Sequence, residues 1–316
     1  MKRIRRLSSE SSYMSSSEKY LVVIACTNVK IVDLRDDSCQ IIKLKDVKFV
    51  CMTTDDQYLF LSKYESSMLY CYNLKSNKII GKHLLKRNTE IEFIFQIYEK
   101  KLIIGIKNKK DYIYYKQSYK HAHHLIIFDY EKNITKLYDL PAYISFNGKP
   151  LLFNNEVYLK CEHKNHKIKL YKFSDGDFVL IPFNKLGFKL SMHTYIKISN
   201  SLKYISIDDT NSSYIQVINI DNHKCVLESS KKDIPKNYED LCNLNRGNFG
   251  TNLSNEDMYY LVHGRRIDVY NLCTFEKRSI ELDFLPIDIK ISFKTNTLIV
   301  HTYENPIRCY CDIYKL

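Results

Sequence analysis

The sequence contains no tryptophan and has only 8 glycine and 6 proline residues among its 316 residues. Phosphate-binding loops need closely spaced glycines, and neither the GxGxxG pattern of dinucleotide-binding folds nor the P-loop pattern occurs. The GxSxG turn that carries the nucleophile of α/β-hydrolases is also missing. The sequence therefore predicts a protein that is not an enzyme and that uses no cofactor.

Long apolar runs are missing as well. No stretch approaches the roughly 18 apolar residues that a membrane-spanning helix needs, so we expect no transmembrane segment. The basic residues Met1–Arg6 are not followed by an apolar segment, so no secretory signal is expected. The ten cysteines form no CxxC pair, and several, such as Cys26, Cys51 and Cys71, lie in apolar runs. This indicates reduced, packed thiols in an intracellular protein, which we place in the cytoplasm with the nucleus as the alternative.

Three groups of histidine and cysteine are candidates for metal ligands. Cys161, His163 and His166 lack a fourth ligand at a suitable spacing, and the His121–His124 cluster has the same shortcoming. Cys309 and Cys311 are two residues apart, which is typical of packing on one face of a strand. The sequence therefore predicts no metal site.

The sequence does contain a repeated pattern of strands and polar turns. The stretch Thr53–Leu84 begins with a polar turn and continues with the strand Tyr58–Leu61, a second polar turn, the strand Met68–Tyr72, and a short turn before a last strand at Ile79-Ile80. The chain contains seven copies of this order, including this one. Each copy is marked by a residue, polar in every case, that closes the third strand: Asp33, Asn73, Asp129, Lys172, Asn219, Asn271 and Asp312.

This order resembles a WD40 repeat. Tyr72-Asn73 and Tyr270-Asn271 stand where members of that family have Trp-Asp, and no copy has the Gly-His pair of the family. The resemblance implies an all-β fold, a seven-bladed β-propeller. A β-sandwich is the competing fold, but its strands should alternate apolar and polar residues. Strands such as Leu21–Ala25 and Leu102–Ile104 are apolar on both faces, which favours blades packed between two neighbours.

The seventh copy lacks a fourth strand because the chain ends at Leu316, whereas an extra strand precedes the first copy. We expect residues 2–8 to supply the missing outer strand of blade seven, which closes the ring and removes an open sheet edge. Residues 1–316 would then form a single propeller domain. The alternative for the basic residues Lys2–Arg6 is a nuclear address or a nucleic-acid patch.

A candidate binding site lies in the insertion 107–124 of blade three, where lysines and tyrosines are interleaved. The candidate residues are Lys107, Lys109, Lys110, Tyr112, Tyr114, Tyr115, Lys116 and Tyr119. Tyrosine supplies contact area at low entropic cost, and lysine attracts acidic surfaces. The hypothesis is a hairpin that projects from the ring and binds a partner. The alternative is an elongated hairpin whose tyrosines pack on a neighbouring blade while its lysines stay in water.

The predicted function is a non-catalytic scaffold, a monomeric propeller within a larger complex, whose partners are proteins of unidentified nature. The formal net charge of +12 supports an alternative, a basic propeller that binds nucleic acid or an acidic, for example phosphoinositide-bearing, surface. Arg265 and Arg266 lie in a tight turn whose flanks do not match phosphoinositide-binding propellers. An enzyme with a site at the central channel is the third hypothesis, although no convergent catalytic residues are visible.

Overall fold

The computed structural model describes residues 2–98, 100–108, 121–145, 150–153, 156–162, 168–174, 177–181, 194–199, 201, 203–209, 214–222, 224–229, 246–251, 253–284, 286, 288–305 and 308–316. These residues form 28 strands in seven antiparallel sheets of four. Six sheets use consecutive strands, and the seventh has the order β1-β28-β27-β26. The predicted all-β, seven-bladed β-propeller is confirmed.

The first four blades follow one another along the chain. Blade one contains β2 (Ser11–Met14), β3 (Tyr20–Ala25), β4 (Asn28–Asp33) and β5 (Cys39–Ile42). Blade two contains β6 (Val47–Met52), β7 (Tyr58–Lys63), β8 (Met68–Asn73) and β9 (Lys78–Leu84). Blade three contains β10 (Thr89–Tyr98), β11 (Lys101–Asn108), β12 (His121–Asp129) and β13 (Ile134–Ser145). Blade four contains β14 (Leu151–Phe153), β15 (Glu156–Glu162), β16 (Ile168–Ser174) and β17 (Asp177–Ile181).

The remaining strands form three further blades. Blade five contains β18 (Thr194–Ile198), β19 (Tyr204–Asp209), β20 (Tyr214–Asn219) and β21 (Cys225–Ser229). Blade six contains β22 (Arg246–Thr251), β23 (Asp257–His263), β24 (Arg266–Asn271) and β25 (Lys277–Glu281). Blade seven contains β26 (Asp288–Ser292), β27 (Thr297–Asn305), β28 (Arg308–Lys315) and β1 (Lys2–Ser8).

The chain divides into two compact units. The first consists of 1–14, 33–38 and 193–316, and the second of 15–32 and 39–192. In the first unit, β22 lies against β26, so blades six and seven share an interface. In the second unit, β10 lies against β6, so blades two and three do the same. That residues 1–316 form one domain stays a prediction.

Strands that are apolar on both faces fill these interfaces. In β23 every residue is buried, and Tyr260 packs with Ile291 and Val300 of blade seven. The Tyr260 hydroxyl donates a hydrogen bond to the carbonyl oxygen of Ile289 over 3.1 Å, which satisfies a polar group that would be costly to bury alone. In the second unit, Phe60 of blade two packs with blade three residues in the same manner.

The turn between the first and second strands of a blade is held by a hydroxyl group. Ser15, Thr53 and Ser199 each accept a hydrogen bond at Oγ from the amide five residues later, over 3.1, 3.0 and 3.1 Å. The amide of the same residue donates to the carbonyl of that later residue, over 2.9 Å in each case. The later residues are Tyr20, Tyr58 and Tyr204. This second internal repeat, a hydroxyl residue followed by tyrosine at the fifth position, defines the start of the second strand in these blades.

The turn between the third and fourth strands is held by the residues that mark the repeats. A side-chain oxygen accepts a hydrogen bond from an amide two or three residues later in five of the seven copies, at Asp33, Asn73, Asp129, Asn219 and Asn271. Such Asx turns explain why the repeats place Asp or Asn at this position. The other two residues form ion pairs: Lys172 with Glu156, and Asp312 with Arg6.

The ion pair of Asp312 fixes the closing strand. β1 pairs antiparallel with β28 from Lys2 opposite Lys315 to Ser8 opposite Tyr310. Arg6 donates from Nε and Nη2 to the two carboxylate oxygens of Asp312 over 2.7 and 2.8 Å. The side chain of Asp312 is only 1% exposed, so this two-point contact neutralises a buried charge.

One glycine is required by a close approach. A Cβ atom built on Gly105 would lie 2.0 Å from Cε1 and 2.4 Å from Cδ1 of the buried Phe93, which is opposite Gly105 in the β10–β11 pair. At Gly81 the nearest atom to such a Cβ is Nε2 of His83, at 2.9 Å. The His83 ring lies at the end of a partly exposed side chain and can move, whereas the Phe93 ring is packed among buried residues.

We therefore predict that Gly105→Ala lowers the free energy of unfolding by about 1–3 kcal/mol, because the Phe93 ring must leave its packed position. The matched control Gly81→Ala should change it by less than about 1 kcal/mol. Urea denaturation followed by circular dichroism measures both. Equal effects of the two substitutions would contradict this interpretation.

A second prediction concerns the closing strand. Arg6→Met should lower the free energy of unfolding by about 1–3 kcal/mol, because it leaves the buried Asp312 carboxylate without its two-point partner. Arg3→Met is the control on the same strand, because Arg3 is half-exposed and 3.8 Å from Asp312. It should cost less than about 1 kcal/mol.

Removal of residues 1–9 should expose the edge of β28 and promote aggregation. A truncated chain that melts at the same temperature as the full chain would show that these residues do not stabilise blade seven.

Candidate functional site

Of the eight candidate binding residues, only Lys107 lies within the described part of the chain. It is the second-last residue of β11, the strand that leads into the segment 109–120. Lys109, Lys110, Tyr112, Tyr114, Tyr115, Lys116 and Tyr119 lie outside the described residues, so their role stays a prediction.

Lys107 is not a solvated lysine but part of a group of four alternating charges. Its Nζ lies 2.7 Å from Oε1 of Glu92 and 3.6 Å from Oε2 of Glu90. The Nζ of Lys48 lies 2.6 Å from Oε1 of Glu90 and 3.4 Å from Oε1 of Glu92. We call these four residues, Lys48, Glu90, Glu92 and Lys107, the paired-charge cluster. Glu92 is 1% exposed and the other three side chains are between 10% and 13% exposed.

Strand register explains how the cluster forms. Glu90 lies directly opposite Lys107 in the β10–β11 pair. The register shifts between Ile91 and Phe93, so Glu92 is an extra residue with no direct partner on β11. Lys48 sits at a similar shift at the start of β6, the strand against which β10 packs. Two irregular strand starts therefore bring two carboxylates and two ammonium groups together.

Two members of the cluster, Glu90 and Lys107, hold their charges rather than exchanging protons. Burial tends to raise the pKa of Glu90, but the hydrogen bond and charge of Lys48, with a contribution from Lys107, outweigh it and lower the pKa below 4.5. Burial tends to lower the pKa of Lys107, but Glu92 and Glu90 raise it above its ordinary value. Both groups are therefore ionised at neutral pH, and neither is suited to general acid–base chemistry. The cluster can fix the base of the segment 109–120.

Arg266, next to the turn between β23 and β24 of blade six, also forms an ion pair within the protein. Arg266 donates to Asp268 over 2.8 Å, and Lys277 lies 2.9 Å from the same carboxylate. Burial tends to raise the pKa of Asp268, but hydrogen bonds from Ser279, Lys277 and Arg266 lower it. Arg266 therefore neutralises an internal carboxylate, which leaves Arg265 as the exposed member of the pair.

The histidine and cysteine groups that are candidates for metal binding fall partly outside the described residues. His163 and His166 lie there, while Cys161 is in β15. His124 Nδ1 is 2.6 Å from the carboxylate of Asp139 on the neighbouring strand. Within the described ranges, no three side chains of His, Cys, Asp or Glu lie close enough together to hold a metal ion.

One histidine interaction has no counterpart in the sequence analysis. His301 of β27 is 4% exposed, and its Nε2 lies 2.7 Å from Oγ of Ser12 on β2. Burial lowers the pKa of His301 to about 4, so the ring is neutral at physiological pH and is a weak base. The pair links blade one to blade seven within the first unit. Its partners are 289 residues apart, so no local motif could have indicated it.

The cluster residues Lys48, Glu90 and Glu92 were also missed by sequence reasoning. A signal was present at Glu90 and Glu92, because two carboxylates alternate with the apolar Ile91 and Phe93 in a strand that is otherwise core. Charged residues are rarely buried without partners, so such a pattern predicts hidden lysines nearby. It does not tell which lysines they are.

Comparisons with known proteins show the fold. No family model matches the sequence, and no curated protein matches it. Solved structures match over the length of the chain. The likeness is to β-propellers. The β-propeller domain of Cps50 (Swd1) from Myceliophteria thermophila has a TM-score of 0.63 at 8% identity, covering 100% of this chain and 99% of that one.

Two further matches are proteins called Hsv2. The protein from Kluyvelomyces marxianus has a TM-score of 0.58 at 10% identity, covering 92% of this chain and 87% of its own. The protein from Kluyveromyces lactis also has a TM-score of 0.58 at 10% identity, covering 96% and 97%. The resemblance to WD40-type propellers is thereby confirmed at the level of the fold. The described residues include no helix that is both long and apolar enough to cross a membrane.

The cluster generates a prediction about pH. The lowered pKa of Glu90 means that its carboxylate stabilises the folded chain above pH 4.5, the ordinary value, and that this stabilisation is lost as the pH falls through the lower folded value. Glu90→Gln should therefore reduce the free energy of unfolding most near pH 7, and the difference from the wild type should shrink as the pH falls below 4.5 and through the lower folded value.

Urea denaturation at pH 7 and at pH 4 measures this difference. Glu276→Gln is the control, because Glu276 is an exposed residue in the third turn of blade six. Its effect should be small at both values of pH. A Glu90→Gln effect of the same size at both would contradict the charge-pair interpretation.

Proposed function

We propose that this protein is a non-catalytic, monomeric scaffold that binds protein partners, and that the segment 109–120 carries a main part of the binding surface. The observation that supports this most directly is the paired-charge cluster. Lys107 is held by two carboxylates immediately before the segment begins, so the segment departs from a fixed point on a rigid sheet. Loops on rigid scaffolds carry function more often than the scaffold does.

The titration behaviour of the described residues supports a non-catalytic role. Four carboxyl groups of the described residues have a pKa below the ordinary value, namely those of Asp36, Glu90, Glu156 and Asp268. A general acid needs a raised pKa, and a general base needs one near the working pH. Hydrogen bonds and nearby lysines or arginines lower these values, which is the behaviour of groups that hold structure together.

The experiment replaces Lys109, Lys110, Tyr114, Tyr115 and Lys116 together by serine. Partners are captured from the native cell at moderate salt with the wild type and with the variant. We expect selective loss of at least one partner with an unchanged melting temperature. The control replaces the exposed lysines Lys75, Lys132 and Lys136 by serine, a change of similar charge on other turns and strands. A folded five-residue variant that captures all partners as before would overturn the assignment of the segment.

The net charge of +12 favours a second candidate function, binding of nucleic acid or of an acidic, for example phosphoinositide-bearing, surface. Lysine and tyrosine in the segment 109–120 would also suit single-stranded nucleic acid, where bases stack on aromatic rings. The two functions differ in their dependence on salt. Nucleic-acid binding should weaken steeply as salt is raised, because each phosphate contact releases counterions.

A further inference from the structure

The outer strand of blade two presents a row of alternating exposed side chains. In β9, exposed and half-buried residues alternate strictly, and the exposed ones are Lys78, Ile80, Lys82 and Leu84. Ile80 and Leu84 are 57% and 53% exposed, which is high for aliphatic side chains in a strand. The strand therefore displays cations and aliphatic groups in turn along one edge of its sheet.

The neighbouring strands extend this surface inward. Lys82 lies opposite Tyr70 and Leu84 lies opposite Met68 in the β8–β9 pair, so these four side chains share one face. The ammonium groups of Lys63 and Lys82 lie 5.8 and 5.9 Å from the centre of the Tyr70 ring. Cation–π contacts of this kind hold both lysines beside the aromatic ring. We call Lys63, Met68, Tyr70, Lys82 and Leu84 the blade two surface.

The positive charge of this surface is not balanced by carboxylates among the described residues. Lys48, Lys107 and Lys277 each lie within 3 Å of a carboxylate oxygen, at 2.6, 2.7 and 2.9 Å. Across the described ranges, by contrast, no carboxylate forms an ion pair with Lys63, Lys78 or Lys82. The charge is therefore open to an acidic partner.

The outer backbone edge of β9 also lacks a partner strand among the described residues. In the order β6-β7-β8-β9, this strand is hydrogen-bonded to β8 alone, and nothing in the described part of the chain pairs with its outer edge. A seven-residue strand offers such an edge over about 20 Å, with like-facing side chains about 6.7 Å apart. The register shift between Cys71 and Tyr72 places a bulge at Ile80 and leaves the half from Gly81 to Leu84 regular.

We propose that the blade two surface docks an extended peptide segment of a protein partner that carries an acidic and an apolar residue two positions apart, and that this segment pairs with the outer edge of β9. Strand addition supplies main-chain hydrogen bonds, and alternate side chains supply specificity. Residues two positions apart on a strand share one face, so glutamate or aspartate would meet Lys63 and Lys82 while an apolar residue two positions away would cover Leu84. This surface shares no residue with the segment 109–120.

Nucleic acid suits this surface less well. A phosphate backbone needs a track of cations, whereas Ile80, Met68 and Leu84 interrupt the lysines here. A free strand edge with regularly spaced amide and carbonyl groups matches another peptide backbone and not a sugar–phosphate chain. The other outer strands also expose aliphatic residues, such as Ile134 of β13 and Val179 of β17. Among the cation–π contacts of the described residues, only Tyr70 is approached by two lysines.

The test begins with selection of random peptides displayed on phage against the full chain. We expect the enriched peptides to carry Asp or Glu two positions away from Leu, Ile, Val or Phe. These peptides are then synthesised with a fluorophore, and their affinity is measured by fluorescence anisotropy. The pair of substitutions Lys63→Glu and Lys82→Glu should weaken binding by about tenfold or more, because attraction becomes repulsion. Leu84→Ser, at an exposed position that the fold does not need, should also weaken it.

A backbone test distinguishes strand addition from other modes. Methylation of alternate amide nitrogens of the peptide should abolish binding when those amides face β9 and leave it unchanged when they face away. The matched control on the chain is Ile134→Ser with Lys136→Glu, the same chemistry on the outer strand of blade three. It should leave the affinity unchanged, as should the five-residue serine variant of the segment 109–120.

Four outcomes would overturn the proposal. The first is enrichment of peptides without acidic residues, and the second is equal binding to the wild type and to both blade two variants. The third is binding of a labelled single-stranded oligonucleotide that the lysine substitutions abolish while no selected peptide binds. Loss of peptide binding in the five-residue serine variant alone would place the docking site on the segment 109–120 instead.

Discussion

In this protein, hydrogen bonds from turn amides to side-chain oxygen atoms stabilise turns that many proteins form with glycine. The rest of the structure depends on these turns. Each blade reverses its chain three times, and these reversals favour residues that adopt positive φ. Within the blades such angles occur at one described glycine, Gly264, and at six Asp or Asn residues, namely Asp37, Asp56, Asn77, Asn133, Asn255 and Asn296. The hydroxyl groups of Ser15, Thr53 and Ser199 and the Asx turns hold these reversals in place. Strands that are apolar on both faces can stack only after the turns have set their register, since a slip of one residue exchanges the two faces.

The sequence predicts features that depend on residues close together along the chain better than features that depend on residues far apart. The repeats were visible because each turn is made by residues within six positions of one another, so that Asn73 and Asn271 mark their copies locally. The need of blade seven for a fourth strand could be inferred by counting strands, but the contact of Arg6 with Asp312 could not. The paired-charge cluster escaped prediction because Lys48 and Glu90 are 42 residues apart, and their meeting depends on two irregular strand starts. For the same reason Lys107 was assigned to a solvated or partner-binding role, whereas its charge is matched inside the protein.

The described charges fall into two groups with different consequences. Asp268, Asp312, Glu90 and Glu92 are buried, and each is met by lysine or arginine at hydrogen-bond distance. These ion pairs contribute little to the electrostatic potential at the surface, because the charges of cation and anion cancel. The blade two surface, by contrast, keeps its lysines beside a tyrosine ring and without a carboxylate. A net charge of +12 therefore has its effect where cations are unmatched, and the number of lysines alone says little about where a partner binds.

The pairing of β1 with β28 has a consequence for the newly made chain. Arg6 and Asp312 are 306 residues apart, so β1 leaves the ribosome long before its only sheet neighbour exists. At about 5–20 residues per second, the interval is roughly 15–60 s. Throughout that time a strand with four basic residues and an unpaired edge on either side is open to other molecules. The positive charge of β1 keeps it soluble and disfavours its pairing with strands that fold earlier. The arginines that later neutralise Asp312 therefore also protect the unpaired strand.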